Sequence, residues 1–364
     1  MTKPSQRTII AAGHLCVDLC PCLPKVEPAS LVQPGVLTEV GPLRTSVGGA
    51  AANTGQAFSR LGFGVRIVAK VGMDAMATLA QNTLRRCEDS LARWLTADPS
   101  VATSYTVVLN PPGSDRSFLH CPGANATFGP EDVPDEALEG AHHLHFGYPP
   151  LMERMASRNG DLAVELFQRA HERGLSTSLD MAYPDPNGST GHVDWRSYLR
   201  RVLPHTDAFV PSLDEILLML RRDDRTPSLR LVEDVAEELF SMGASVLLIK
   251  LGAFGAYAAA RPSPGLERLA SLHGIRLSDW ADRRCYRPAF QVEPVATTGS
   301  GDSAIAGFLG GVVLGMGLEP CLRAAVATGS ARVQSEDLVA ALPEWNELIG
   351  RAESWQHSAR RLDR

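Results

Sequence analysis

The residues best suited to chemistry in this chain are Thr297-Thr298-Gly299-Ser300-Gly301-Asp302-Ser303. The surrounding pattern predicts an extended run over 290–295 and an apolar helix over 304–316. Small residues at such a junction leave backbone N–H groups and a positive dipole end open to an anion. The Asp302 carboxylate would sit beside that anion, placed to take a proton from an attacking hydroxyl. The chemistry this suggests is phosphoryl transfer to an alcohol. Gly299, Gly301 and Ala304 also fit the G-x-G-x-x-A turn of a dinucleotide site. That turn opens a βαβ unit, whereas only helical patterns follow Gly301, and Asp302 would face the pyrophosphate with a negative charge.

A second constellation is Gly48-Gly49-Ala50-Ala51-Ala52-Asn53. Paired glycines let a backbone approach a ligand closely. Asn53 carries donors and acceptors that suit sugar hydroxyls, or it is a buried structural asparagine behind a glycine turn. The chain has no G-x-x-x-x-G-K-[ST] loop, which removes the P-loop route to phosphoryl transfer.

These residues need a scaffold. Short apolar runs at 8–12, 65–71, 143–146, 176–180, 208–211 and 246–250 read as strands. Helical patterns lie at 51–61, 75–86, 161–173, 213–221 and 231–242, and further helices are expected near 318–333 and 343–353. This order predicts an α/β fold with a mostly parallel sheet covered on both faces. Residues 15–45 are rich in Pro and Val with no helical period, and 103–128 hold a hairpin that turns at Asn110-Pro111-Pro112-Gly113. Both segments are expected to form a small β-sheet lid. The main domain would then comprise 1–14, 46–102 and 129–364. The run 261–284 reads as a surface excursion and the basic end, 360–364, as a frayed terminus.

Composition bounds the partners. With 364 residues, 44% hydrophobic and 21% charged, the chain is long enough for a large core without disulfides. A formal net charge of −6 argues against a nucleic-acid partner. No uninterrupted apolar stretch is long enough to span a membrane, and the apolar run 9–12 is too short for a signal-peptide core. Seven cysteines, an odd number, read as reduced thiols of a cytoplasmic protein. The His142-His143-Leu144-His145 and Cys16, Cys20, Cys22 groups lack the partners of a metal site and read as core and strand residues.

In this order the motifs resemble the PfkB (ribokinase-like) family of carbohydrate kinases. The early G-G-x-x-x-N and the late G-S-G-D match its two signatures. Between and before them, His14-Leu15-Cys16-Val17-Asp18, Val71-Gly72-Met73-Asp74, Pro122-Gly123-Ala124-Asn125 and Leu251-Gly252-Ala253-Phe254-Gly255 resemble further family motifs. The resemblance implies a ribokinase-like three-layer α/β/α sandwich with a β-sheet lid. It implies an ATP- and Mg²⁺-dependent kinase acting on a small sugar, or on a nucleoside whose base contacts the lid. Asp302 would be the base, and Gly299, Ser300 and Gly301 the anion hole. Asp18, Gly48, Gly49 and Asn53 would hold the sugar, with Arg116 reaching the substrate or its phosphate. Lys250, Gly252, Gly255 and Thr297 would lie on the nucleotide, and Glu215 on Mg²⁺ through water. Relatives often pair through the lid, which implies a homodimer.

Three positions depart from the family pattern. Ala296 stands where relatives carry an acid that helps bind a monovalent cation, so the resemblance does not carry a potassium requirement to this chain. Ser212 replaces the Asn of N-x-x-E, and Lys250 replaces a Thr before the L-G-x-x-G loop. A non-catalytic sugar- or nucleotide-binding regulator is the alternative that these departures leave, and retention of Asp302 and its glycines argues against it.

Overall fold

A run such as Val246-Leu247-Leu248-Ile249 presents apolar side chains to both faces of a strand, which suits only a sheet covered on both sides. The computed structural model describes residues 3–113, 116–224, 226–337 and 341–363. Its strands are β1 (Thr8–Gly13), β2 (Cys16–Pro21), β3 (Leu43–Gly48), β4 (Gly64–Val71), β5 (Leu95–Ala97), β6 (Tyr105–Leu109), β7 (Ser117–Cys121), β8 (His143–Gly147), β9 (Ser176–Asp180), β10 (Ala208–Phe209), β11 (Val246–Lys250), β12 (Ala256–Ala260) and β13 (Arg284–Arg287). Among the described residues they form a nine-stranded sheet, β13-β12-β11-β10-β9-β8-β1-β4-β5, and a four-stranded sheet, β3-β2-β6-β7. The large sheet is parallel from β5 to β11, and β12 and β13 add to it antiparallel.

The helices are α1 (Ala50–Arg60), α2 (Ala75–Cys87), α3 (Asp135–Leu138), α4 (Glu153–Ala156), α5 (Asp161–Glu172), α6 (Trp195–Val202), α7 (Leu213–Met219), α8 (Leu229–Ser241), α9 (Pro264–His273), α10 (Ser300–Val313), α11 (Leu318–Arg332) and α12 (Trp345–Ser354). Those supplying Phe58, Leu84, Leu269, Phe308, Leu322 and Leu348 cover one face of the large sheet. Those supplying Phe167, Leu199, Ile216 and Val235 cover the other. This is the expected three-layer α/β/α arrangement, with the small sheet in addition. No described helix is long and apolar enough to cross a membrane.

The polar residues of β8 and β9 share the first of these faces. His143 bonds Ser176 at 2.7 Å and Ser178 at 2.8 Å, and His145 bonds Ser178 at 2.8 Å. Both histidines are fully buried, so their nitrogens need these hydroxyls. Among the described residues no group of three or more His, Cys, Asp or Glu side chains converges to hold a metal.

Four expectations from sequence are corrected. The run 290–295 is not a strand: Pro288 and Pro294 lack a ladder donor, and the chain leaves the sheet after Arg287. Val295 and Ala296 instead both donate to the Val333 carbonyl. The run 261–284 is not a surface excursion. It holds α9, capped by Ser263, and Trp280, fully buried with its indole N–H on the Met316 carbonyl at 3.0 Å. The described part of the C-terminal tail is packed rather than frayed. Ser358 donates to the Ala289 carbonyl at 2.7 Å, His357 stacks on Phe290, and Leu362 is buried; Arg364 lies outside the described residues. Finally, β12 and β13 extend the sheet where no strand is expected.

Candidate active site

The carboxyl ends of β1, β8, β9 and, beyond β10, β11 lie along one edge of the sheet, and an open parallel sheet presents its ligand crevice at such ends. They deliver His14, Tyr148, Asp180 and Lys250 to one place. The first turns of α1 and α10 enter the same place from the covering layer. Two small-sheet segments meet the main sheet through paired side-chain anchors. Asn125 accepts from the Leu15 N–H at 3.2 Å and donates to the Leu15 carbonyl at 2.9 Å. Asp74 caps α2 through the Ala77 N–H and also accepts from Thr103, at 2.8 Å each. The P-G-A-N and V-G-x-D motifs therefore anchor the segments that lead to and from the small sheet.

Asp18, Thr106 and His120 are paired across β2, β6 and β7 and share one face of the small sheet. The Asp18 carboxylate lies over Gly48, where a Cβ would come within 2.3 Å of its Oδ2. Burial pushes the Asp18 carboxyl up to about 6, against the pull of the Cys16 thiol that donates to it. Gly49 adopts φ +89°, and a Cβ there would strike both Nδ1 and the carbonyl of His14 at 2.5 Å. That close packing lets Ala51, in the first turn of α1, donate to the His14 carbonyl at 3.1 Å. His14, His120 and Tyr148 form a tilted ring cluster with centroids 5.3 and 5.9 Å apart.

Asp302 lies in the first turn of α10 and is 4% exposed. Asn53 donates to its Oδ2 at 3.0 Å, Tyr148 to its Oδ1 at 2.9 Å and Thr54 to its Oδ1 at 3.5 Å. Burial raises the carboxyl above its ordinary range, although Lys250, Asn53 and Tyr148 pull it down. Gly299 caps the helix with φ +76°. The Ser300 N–H turns back to the Thr297 carbonyl at 3.2 Å. The N–H groups of Gly299, Gly301 and Asp302 have no protein partner among the described residues. Of the expected anion-hole residues, Ser300 is thus the one whose donor is already used.

Lys250 ends β11 and bonds Asp180 at 2.8 Å, with both side chains buried. Burial works against the ammonium, but Asp180, Glu215 and Asp302 outweigh it and hold Lys250 above its ordinary range. Its side chain runs along the start of α10, with Nζ 3.7 Å from the position of a Cβ on Gly301. Glu215 closes a capping box with Ser212, accepting from the Ser212 N–H at 2.8 Å. The serine that replaces Asn is thereby accounted for as a helix cap, and one Glu215 oxygen remains to face a hydrated ion. A Mg²⁺ that keeps most of its waters fits this sparse acidic set.

The remaining expected residues surround the same opening. Leu251 donates to the Gly255 carbonyl at 2.9 Å, which folds 251–255 into a tight turn. Gly255, at φ +97°, leaves no room for a Cβ against the Arg287 carbonyl, whereas Gly252 faces open space. Arg116 reaches across from the small sheet and donates to the hydroxyls of Thr297 and Thr298. Every expected site residue therefore lies on this crevice or on the turn beside it. Sequence reasoning missed His14, Tyr148, Asp180 and His120. The first three each stand at or just past the end of a predicted parallel strand, which is the signal that would have found them.

A model of the pfkB family carbohydrate kinases matches residues 7–345. The chain belongs to that family. It is 24% identical over 329 residues to a 2-dehydro-3-deoxygluconokinase of Bacillus subtilis (strain 168), covering 86% of this chain and 89% of the relative. It is 26% identical over 346 residues to a nucleoside kinase of Methanothermobacter thermautotrophicus, covering 95% of each. The structure of Arabidopsis thaliana ribokinase complexed with ribose and ATP superposes with a TM-score of 0.73 at 17% identity, covering 97% of this chain and 99% of that one. This pfkB-family chain is a phosphotransferase with an alcohol acceptor.

Proposed function

We propose that this kinase moves the γ-phosphoryl group of ATP to a hydroxyl of a small, uncharged sugar. The supporting observation is the Asp302 carboxylate in the first turn of α10, next to unpartnered N–H groups and bonded to Asn53 of α1. The sugar lies between Asp18, Gly48, Gly49 and Asn53, with one hydroxyl donating to Asp302. As that O–H bond breaks, its proton passes to Asp302. The freed oxygen pair forms the new bond to the γ-phosphorus, and the bond to the β-bridging oxygen breaks with its electrons leaving on ADP.

The anion hole of Gly299, Ser300 and Gly301 stabilises charge on the phosphoryl oxygens. The Ser300 donor joins by exchanging the Thr297 carbonyl for a phosphoryl oxygen. Lys250 and Arg116 supply positive charge at either side of the loop, and Thr297, Gly252 and Gly255 shape the nucleotide side. Glu215 would hold Mg²⁺ through water, and the bound ion would supply neutralisation of phosphate charge. Asp18 would repel an acidic acceptor. The face that carries Asp18 also presents the hydrogen-bonding side chains Thr106 and His120, with His14 beside them, which supports a sugar over a nucleobase. Leu43 and Leu119 stand more than half exposed on the face of the small sheet opposite Asp18, and a second copy of the chain pairing there is part of this reading.

The test is ADP release with neutral sugars, acid sugars and nucleosides, run on wild type and Asp302→Asn. Neutral sugars should turn over best, and Asp302→Asn should lose about 10²–10⁴-fold in kcat while still binding the sugar. Undiminished turnover in that variant would refute the mechanism.

A further inference from the structure

Tyr148 sits in a backbone conformation that tyrosine rarely adopts, φ 67° and ψ 43°. The structure holds it there from three sides. Its N–H donates to the Asp180 carbonyl at 3.2 Å. The preceding Gly147 lies so close to α1 that a Cβ would come within 2.2 Å of the Ala50 Cβ. Its ring packs beside His14, and its hydroxyl ends on Oδ1 of Asp302 at 2.9 Å. A glycine would adopt this conformation without strain, so the side chain is what the position keeps.

A carboxylate has four lone-pair sites on its two oxygens. On Asp302, Tyr148 takes one site of Oδ1 at 2.9 Å with the Thr54 hydroxyl 3.5 Å from the same oxygen, and Asn53 takes one site of Oδ2. Among the described residues, the remaining Oδ2 site has no donor. We propose that Tyr148 is a positioning residue for the base: by fixing Oδ1, it leaves Oδ2 as the atom that receives the proton of the acceptor hydroxyl. This inference rests on reading Asp302 as the base. Burial and the adjacent Asp302 charge hold the phenol well above its ordinary range, so Tyr148 remains protonated and donates to the carboxylate. Its donation favours the ionised carboxylate against the burial that opposes it.

Tyr148→Phe keeps the ring beside His14 and removes only the donor. The measurement is kcat and KM against pH from 5 to 9 for wild type and Tyr148→Phe, with Asp302→Asn in parallel. Loss of one charge-assisted hydrogen bond should lower kcat about 10-fold near pH 7, with the acceptor KM little changed. The acidic limb of the kcat profile should move up by about one pH unit, because the carboxyl loses a donor to its ionised form. An unmoved limb with kcat within about twofold of wild type overturns the proposal. A uniformly lower kcat with an unmoved limb also overturns it, since loss of packing alone gives that result. Retained turnover in Asp302→Asn removes the underlying reading instead, so the two failures are distinct.

Discussion

The side-chain N–H of Asn53 meets Oδ2 of Asp302 at 3.0 Å, which joins the first turn of α1 to that of α10 across 249 residues of sequence. On the proposed mechanism, a residue suited to gripping a sugar is thereby bonded to the carboxylate that would take the sugar's proton. The alignment of hydroxyl and base would then be built into the contact between the two helices rather than left to the substrate. Such pre-organisation removes an orientational cost from the reaction.

The glycines on either side of this contact differ in what they make room for, and they predict different phenotypes. A Cβ on Gly301 would make only ordinary contacts with Lys250, the nearest at 3.5 Å. Packing does not require that glycine, whereas the proposed approach of a phosphoryl group would. Gly301→Ala should therefore fold normally, with a melting temperature at or above wild type, because alanine is the better helix residue by about 1 kcal/mol. It should lose at least about 10-fold in kcat as the methyl group crowds the anion hole. A Cβ on Gly48 would instead displace Asp18. Gly48→Ala should raise the acceptor KM with little effect on the KM for ATP. Equal effects of the two substitutions on both constants would contradict this division of the site.

Much of this was legible in sequence. The parallel core was visible because its strands are short, mostly apolar on both faces and separated by helical periods, as at 8–12 and 246–250. The site was visible because anion binding and close approach demand glycine, and glycine clusters are rare enough to read. What escaped detection depends on tertiary partners. Nothing local marks Tyr148 as a left-handed tyrosine bonded to Asp302. Asp180 looks like any acid ending a strand until Lys250 arrives from another strand. Trp280 and the C-terminal strap were misread because their partners, Met316 and Phe290, come from other parts of the fold.

If Asp18 binds the acceptor as proposed, acceptor binding should depend on pH. Its folded carboxyl is raised by burial to about 6. As pH falls through that value the carboxylate protonates, so the acceptor KM should rise below about pH 6. Stability moves the other way. A carboxyl raised in the folded state binds its proton more tightly there, so its contribution is fully present below the unfolded value near 3.8 and is lost as pH rises through about 6. Asp18→Asn should thus melt higher than wild type at pH 7.5, lose that advantage near pH 4, and bind the acceptor more weakly throughout. Melting curves of the two proteins from pH 4 to 8 test this, and a difference independent of pH would count against it.

Lys250 and Asp180 form a buried pair at the foot of α10, and Oδ2 of Asp180 has no partner among the described residues. Removing the lysine alone leaves a buried carboxylate without its counter-charge. Lys250→Met should therefore destabilise the protein by roughly 3–5 kcal/mol. Neutralising the partner as well, in Lys250→Met with Asp180→Asn, removes the stranded charge and should recover most of the lost stability. Activity should not return with it. The ammonium also faces Asp302 and the first turn of α10, where the proposed mechanism puts the charge of the transferring group, so the double variant should remain at least about 10-fold below wild type in kcat. Denaturant unfolding and ADP release on the same three proteins separate the two roles. Recovery of both stability and turnover in the double variant would make Lys250 purely a counter-ion for Asp180.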